Sequence, residues 1–203
     1  MAALRRKASY AERRASKAEV DDPAVVLDAA LRLLEVRPRS VDEVRRRLAT
    51  AGYRLELVEP AIERLLALGI LDDESFTAAW VESRDRVRPR GERALRDELR
   101  RKGVGRALID DALATRRPEP GGSEDPDVEA AGRLVARHAA QLGRIADPRQ
   151  RRQRAYALLA RNGFDPEICS RVSALAVDRP EPDGDGDAGL GREDEPAPPG
   201  QVR

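Results

Sequence analysis

The sequence predicts an all-α fold. Three tandem three-helix repeats form an elongated, curved helical body, with a disordered N-terminal arm and an acidic C-terminal tail. Aromatic residues are only 3% of the 203, so a core here must come from Leu, Val, Ile and Ala on helices rather than from aromatic-rich strands. Apolar residues return at helical spacing along most of the chain. One pattern is also written three times, around Gly52, Gly103 and Gly163, which stand 51 and 60 positions apart. Superposing these glycines aligns Leu48, Leu99 and Leu159 before them, and Val44, Leu95 and Ala155 one turn earlier. After them come Val58, Ile109 and Cys169, then Ile62, Leu113 and Ser173. A period of this size marks stacked helical units.

Residues 1–22 alternate Ala, Ser, Arg and Glu without a large apolar stripe and read as a flexible basic arm. The first repeat spans 23–71. Asp22 as N-cap and Pro23 at the first helical position start its opening helix. Val26, Ala30, Leu33 and Leu34 face inward on that helix, and Pro38 should stop it near Val36. Ser40 and Glu43 match the S-x-x-E capping box. They open a second helix that turns Val44 and Leu48 inward and spreads Arg45, Arg46 and Arg47 outward, ending at Gly52 as a left-handed cap. Leu57, Val58, Ala61, Ile62, Leu65 and Leu66 give the third helix, stopped at Gly69.

The second repeat spans 72–115. Asp72 or Asp73 caps a helix whose inner side is expected to carry Phe76, Ala79, Trp80 and Val87. RVRPR (86–90) breaks the chain. Leu95 and Leu99 then mark a helix ending at Gly103, and Leu108, Ile109, Ala112 and Leu113 mark the last one. Residues 116–127, with three Pro and two Gly, read as a linker. The third repeat spans 128–177. Its first helix carries Leu134, Val135 and His138, its second is the arginine-dense run before Gly163, and Ile168 and Val172 anchor its third. Residues 178–203 are rich in Pro, Gly and acid and read as a disordered tail.

The net charge of +1 conceals an asymmetry: the tail's eight acidic residues and three Arg give it −5, leaving +6 on the rest. A basic body suits a nucleic-acid or nucleoprotein partner without requiring one. Lys occurs only at 7, 17 and 102, so the positive charge is nearly all Arg. Arg favours bidentate contact with phosphate and carboxylate, although a GC-rich genome would give the same excess. The single Cys169 excludes an internal disulfide and fits a reducing cytosol. No apolar run approaches the roughly 20 residues of a bilayer span. The N-terminus lacks an apolar signal core. The expectation is a cytoplasmic, monomeric protein with no membrane association.

The strings RPRSVDEVRRRLATAGY, LLALGILDDESFTAAWVESR, RGERALRDELRRKGV…LIDDAL and LLARNGFDPEICSRV resemble the RecX regulatory family. The resemblance covers about residues 25–177, and GILDDESF…WVESR is its most specific piece. It implies three tandem three-helix repeats and a non-enzymatic modulator of the RecA recombinase. Such a protein binds the RecA–DNA filament along its groove and lowers strand exchange, ATP hydrolysis and coprotease activity, tuning DNA repair and the SOS response. The implied partners are the RecA filament and DNA, single-stranded within the filament and possibly duplex.

The candidate contact residues form a basic face on the second helices and the central break: Arg45 and Arg46; Arg88, Arg90, Arg93, Arg96, Arg100, Arg101 and Lys102; Arg151, Arg152 and Arg154. In one reading they engage DNA phosphates or an acidic filament surface. In the other they are a solvated face making i,i+4 pairs such as Glu92–Arg96. Asp72, Asp73 and Glu74 are better read as helix caps than as a metal or catalytic cluster. One histidine allows no His-based metal cluster or catalytic triad. The Gly-rich stretches lack the phosphate-loop pattern. No catalytic residue, metal or cofactor is expected. The alternative function is a DNA-reading transcription regulator, because residues 40–71 superficially resemble a helix-turn-helix of winged-helix type.

Overall fold

A computed structural model describes residues 9–116 and 125–178 of the chain. All regular structure in them is helical. After a short helix α1 (Tyr10–Ala18), the first unit contains α2 (Pro23–Val36), α3 (Val41–Ala51) and α4 (Leu55–Ala67). The second contains α5 (Asp73–Val87), α6 (Glu92–Arg101) and α7 (Arg106–Ala114). The third contains α8 (Pro126–Arg137), α9 (Ala139–Gly143), α10 (Pro148–Arg161) and α11 (Pro166–Asp178).

The helix ends follow the local chemistry of the sequence. Asp22, Ser40 and Asp72 each accept a backbone N–H of the first turn they precede. Gly52, Gly103 and Gly163 all have positive φ, between 80° and 112°, where an L side chain is strained. The superposition of these glycines is therefore a superposition of one turn used three times.

Each unit encloses its own core. Val26, Val44, Leu48, Val58, Ile62, Leu65 and Leu71 pack in the first. Phe76, Val81, Leu95, Leu99, Ile109 and Leu113 pack in the second, and Leu134, Ala155, Leu159, Phe164, Cys169 and Val172 in the third. Burial raises the Cys169 thiol pKa, which suits a packing residue rather than a nucleophile.

Several expectations need correction. Within the arm of 1–22, Tyr10–Ala18 is helical, because Ser9 and Glu12 form a reciprocal capping box. Residues 1–8 of the arm, 117–124 of the linker and 179–203 of the tail lie outside the described residues. On α5, Ala79 and Val87 are exposed, and Thr77 and Val81 take the inner positions instead. The third unit has a fourth, five-residue helix, because α8 stops at His138, whose Nδ1 lies 2.9 Å from the Leu134 carbonyl. The Ser40–Glu43 box is half made: Ser40 accepts the Glu43 N–H, while the Glu43 carboxylate turns to Arg37 and Lys102. The sequence offers no strand-forming wing after Gly69, which weighs against the winged-helix alternative, and among the described residues none is present: Leu71 is a buried core residue and α5 begins at Asp73.

Candidate partner interface

The units meet end to end through their second helices. At the first joint the Ser40 hydroxyl, before α3, donates to the carbonyl of Lys102, after α6. The Val41 N–H donates to the Asp73 carboxylate at 2.9 Å. At the second joint equivalent bonds recur one unit later, with a backbone N–H in place of the Ser40 hydroxyl. The Gly91 N–H donates to the Asn162 carbonyl at 3.0 Å, and the Glu92 N–H donates to the Asp127 carboxylate at 2.9 Å. In both cases the last turn of one second helix abuts the first turn of the previous one, so α10, α6 and α3 form a head-to-tail column. Helix dipoles so arranged attract. The repeat glycines permit this approach: a Cβ at Gly103 would strike Asp42, and one at Gly163 would strike Ala94.

The joints are polar, and some predicted contact residues are consumed in building them. Lys102 is 14% exposed, with its ammonium 3.1 Å from Glu43 and 4.0 Å from the centroid of the Trp80 ring. Burial would raise the Glu43 pKa, but hydrogen bonds and charge from Arg37 and Lys102 win and hold it at about 2. Arg46 reaches the Arg101 carbonyl at 2.9 Å and pairs with Asp42. Arg90 bonds Asn162 across the second joint and lies 3.4 Å from Glu98. Beside it Arg116, absent from the sequence-based set, is 4% exposed between Asp85 and Asp127. Burial pushes the Asp127 pKa up despite the opposing Glu92 N–H and Arg116.

Two further predicted contacts are staples within a unit. Arg45 on α3 binds Glu59 on α4 at 2.8 Å, and Arg96 on α6 binds Asp110 on α7. These pairs occupy equivalent repeat positions, since Arg45 to Arg96 and Glu59 to Asp110 are both steps of 51. Arg151 is also occupied, by the Ile145 carbonyl. In the 86–90 break, the carbonyls of Arg86 and Val87 accept from Arg137 and Pro89 is buried, while Arg88 projects outward and Arg86, also exposed, faces Glu82 at 3.8 Å.

The rest of the set remains available. Arg88, Arg93, Arg101, Arg152 and Arg154 are exposed and have no side-chain partner among the described residues. Arg100 has only Asp97, at 3.6 Å. Arg47 and Arg161, outside the predicted set, are likewise exposed on the column helices α3 and α10. Pairing partners decided which arginines stay free, and a run of arginines in sequence does not report them. Among the described residues, no three His, Cys, Asp or Glu are placed to hold a metal ion, and no helix is long and apolar enough to cross a membrane.

Comparison with known proteins agrees with this architecture. Residues 27–65 match the family model of the first RecX three-helix domain, and residues 72–113 match that of the second. The regulatory protein RecX of Pelodictyon phaeoclathratiforme is 33% identical over 149 residues, covering 73% of this chain and 87% of that protein. RecX of Streptomyces coelicolor is 38% identical over 152 residues, covering 73% and 75%. The crystal structure of RecX from Lactobacillus salivarius shares the fold, with a TM-score of 0.63 at 20% identity over 77% of this chain and 97% of that one.

Proposed function

Because the chain belongs to the RecX family of regulatory proteins, we propose that it binds the RecA–DNA filament and restrains RecA's strand exchange, ATP hydrolysis and coprotease activity. It does so as a cytoplasmic monomer, by occupying filament surface rather than by catalysis. One observation carries this reading: unpaired arginines recur along the α10–α6–α3 column on successive units. A filament repeats its phosphates and acidic surfaces at intervals, and a column of basic units can meet several of them together. Individually weak contacts then gain from effective concentration. Guanidinium groups suit phosphate and carboxylate alike, through paired N–H donors.

The test is RecA-catalysed ATP hydrolysis on single-stranded DNA with sub-stoichiometric amounts of this protein. Hydrolysis should fall, and the effect should weaken with salt. The triple variant Arg93→Glu, Arg100→Glu, Arg101→Glu should lose most of the inhibition while keeping its helicity. Unchanged hydrolysis with the native chain would refute the proposal. Full inhibition by the triple variant would move the contact surface off α6.

A further inference from the structure

The two joints place equivalent bonds at equivalent repeat positions, yet they differ in one respect that bears on ligand binding. At the first joint the outer groove is self-neutralised: Asp42 pairs with Arg46, and Arg46 also donates to the Arg101 carbonyl. One unit on, repeat position 42 becomes Arg93 and position 46 becomes Asp97. The order of charges along the helix is reversed. Asp97 cannot donate to the carbonyl of Arg161, the counterpart of Arg101, and Arg93 has no carboxylate partner among the described residues.

In place of that closed pair lies a notch of about 300 Å³ lined by Arg93, Arg101, Arg161 and Gly163, with Asp97 beside Arg100 and Glu98 held between Arg84 and Arg90. Arg93, Arg101 and Arg161 are exposed, whereas Arg90 is half-buried and already engaged, its Nε facing Glu98 at 3.4 Å and its Nη1 donating to Asn162. The notch thus combines guanidinium donors from two units, with Gly163 as a floor that carries no side chain.

We infer that this notch at the second joint is a binding site for a phosphate group, which closes between α6 and the last turn of α10. Its size admits a single phosphate-bearing group rather than a helix or a folded surface. Its donors are arginines, whose fork geometry matches phosphate oxygens. An occupant would bond both units, so binding would also stiffen the joint. The inference rests on reading the column as the filament-facing surface, and it adds the place where a strand's phosphate is held. The same chemistry would accept a free polyphosphate.

The test is the charge-conserving double variant Arg93→Asp, Asp97→Arg, which transplants the first joint's Asp42–Arg46 pair into the second. Net charge is unchanged, and an acid in the first turn of α6 followed by Arg at i+4 favours the helix. Two probes are compared on the full chain: a labelled oligothymidylate, titrated at several salt concentrations, and tripolyphosphate, read by thermal shift. Loss of about tenfold in oligonucleotide affinity, with a salt slope shallower by about one contact, identifies a strand phosphate as the occupant. Unchanged oligonucleotide binding with a lost tripolyphosphate shift identifies a free phosphate compound. If neither probe distinguishes the variant from the native chain, the inference is overturned. RecA inhibition is measured in parallel. A variant that loses oligonucleotide binding alongside a native chain that leaves RecA unaffected would sink the proposed function and leave the notch standing.

Discussion

Replacing Glu43 by Gln should uncouple the first joint. Its carboxylate bonds Arg37 at 3.0 Å and Lys102 at 3.1 Å, and its pKa is held at about 2. An ordinary glutamate titrates near ~4.3, so the difference corresponds to roughly 3 kcal/mol of stabilisation of the charged form. Arg37 is 41% exposed, and Gln retains a neutral acceptor, so the loss at neutral pH should be about 2 kcal/mol. The sign follows from the depressed folded pKa. The contribution is complete above about pH 4.3 and disappears as pH falls toward about 2. Urea unfolding at pH 7, 5, 4 and 3, followed by emission from the single Trp80, reads both quantities, because the Lys102 ammonium lies over that ring. The native and variant midpoints should converge as the pH drops. A gap that is constant with pH, or below about 1 kcal/mol at pH 7, would refute the account of Glu43 as the centre of the joint, since a surface pair can contribute up to about that much.

Other outcomes follow from the same geometry. Gly103→Ala should cost about 1–2 kcal/mol for positive φ alone, and more because its Cβ would meet Asp42; Gly105→Ala, at negative φ with open space, should be nearly neutral by thermal melting. Asp73→Asn should change stability by less than about 1 kcal/mol at pH 7. Burial already pushes that carboxyl's pKa up, and the amide oxygen can still accept from Val41 N–H. Arg45→Ala and Arg96→Ala should each lower the unfolding midpoint while leaving RecA inhibition intact, because their heads are spent on Glu59 and Asp110. Removing residues 1–21 should destabilise the first unit by about 2 kcal/mol in urea unfolding. It deletes the Tyr10 hydroxyl bond to the Thr50 carbonyl and the Lys17 ammonium over Tyr53.

The fold was legible where a local rule governs it. Asp22–Pro23, Pro38, Ser40 and the three glycines each bound an element through backbone chemistry, and each does so in the structure. Helix α1 was legible too, because Ser9 and Glu12 repeat the S-x-x-E signal that was used at Ser40; the absence of an apolar stripe hid it. The α5 face was misread because two aromatics drew the axis toward Ala79 and Val87. The helix instead inserts Thr77, whose hydroxyl donates to the Asp73 carbonyl at 2.6 Å. The candidate face was legible only as a composition. That Arg45 and Arg96 are staples could have been found by carrying the repeat alignment through to Glu59 and Asp110. That Lys102 and Arg90 hold joints could not, because their partners Glu43 and Asn162 lie 59 and 72 positions away.

The array also contains its own ends. Each inner joint needs a second helix that begins with a free N–H, supplied by Val41 and Glu92, for an aspartate of the next unit to accept. The first residue of α10 is Pro148, which has no N–H to offer, and Asp147 caps the helix by accepting from Arg149. Moreover α10 begins earlier: alignment of Gly163 with Gly103 puts Arg151, already inside the helix, opposite the N-cap Gly91. A further unit would therefore find helix where the inner joints present a cap. At the opposite end α1 lies against Gly52, whose Cβ would strike the Arg14 backbone as that of Gly103 would strike Asp42. The short helix so fills the place of a preceding unit with none of its own residues buried. A column closed at both ends by Pro148 and α1 holds a fixed number of basic units. Under the proposed function, its length, rather than the charge of any one helix, would set how many filament sites one chain engages.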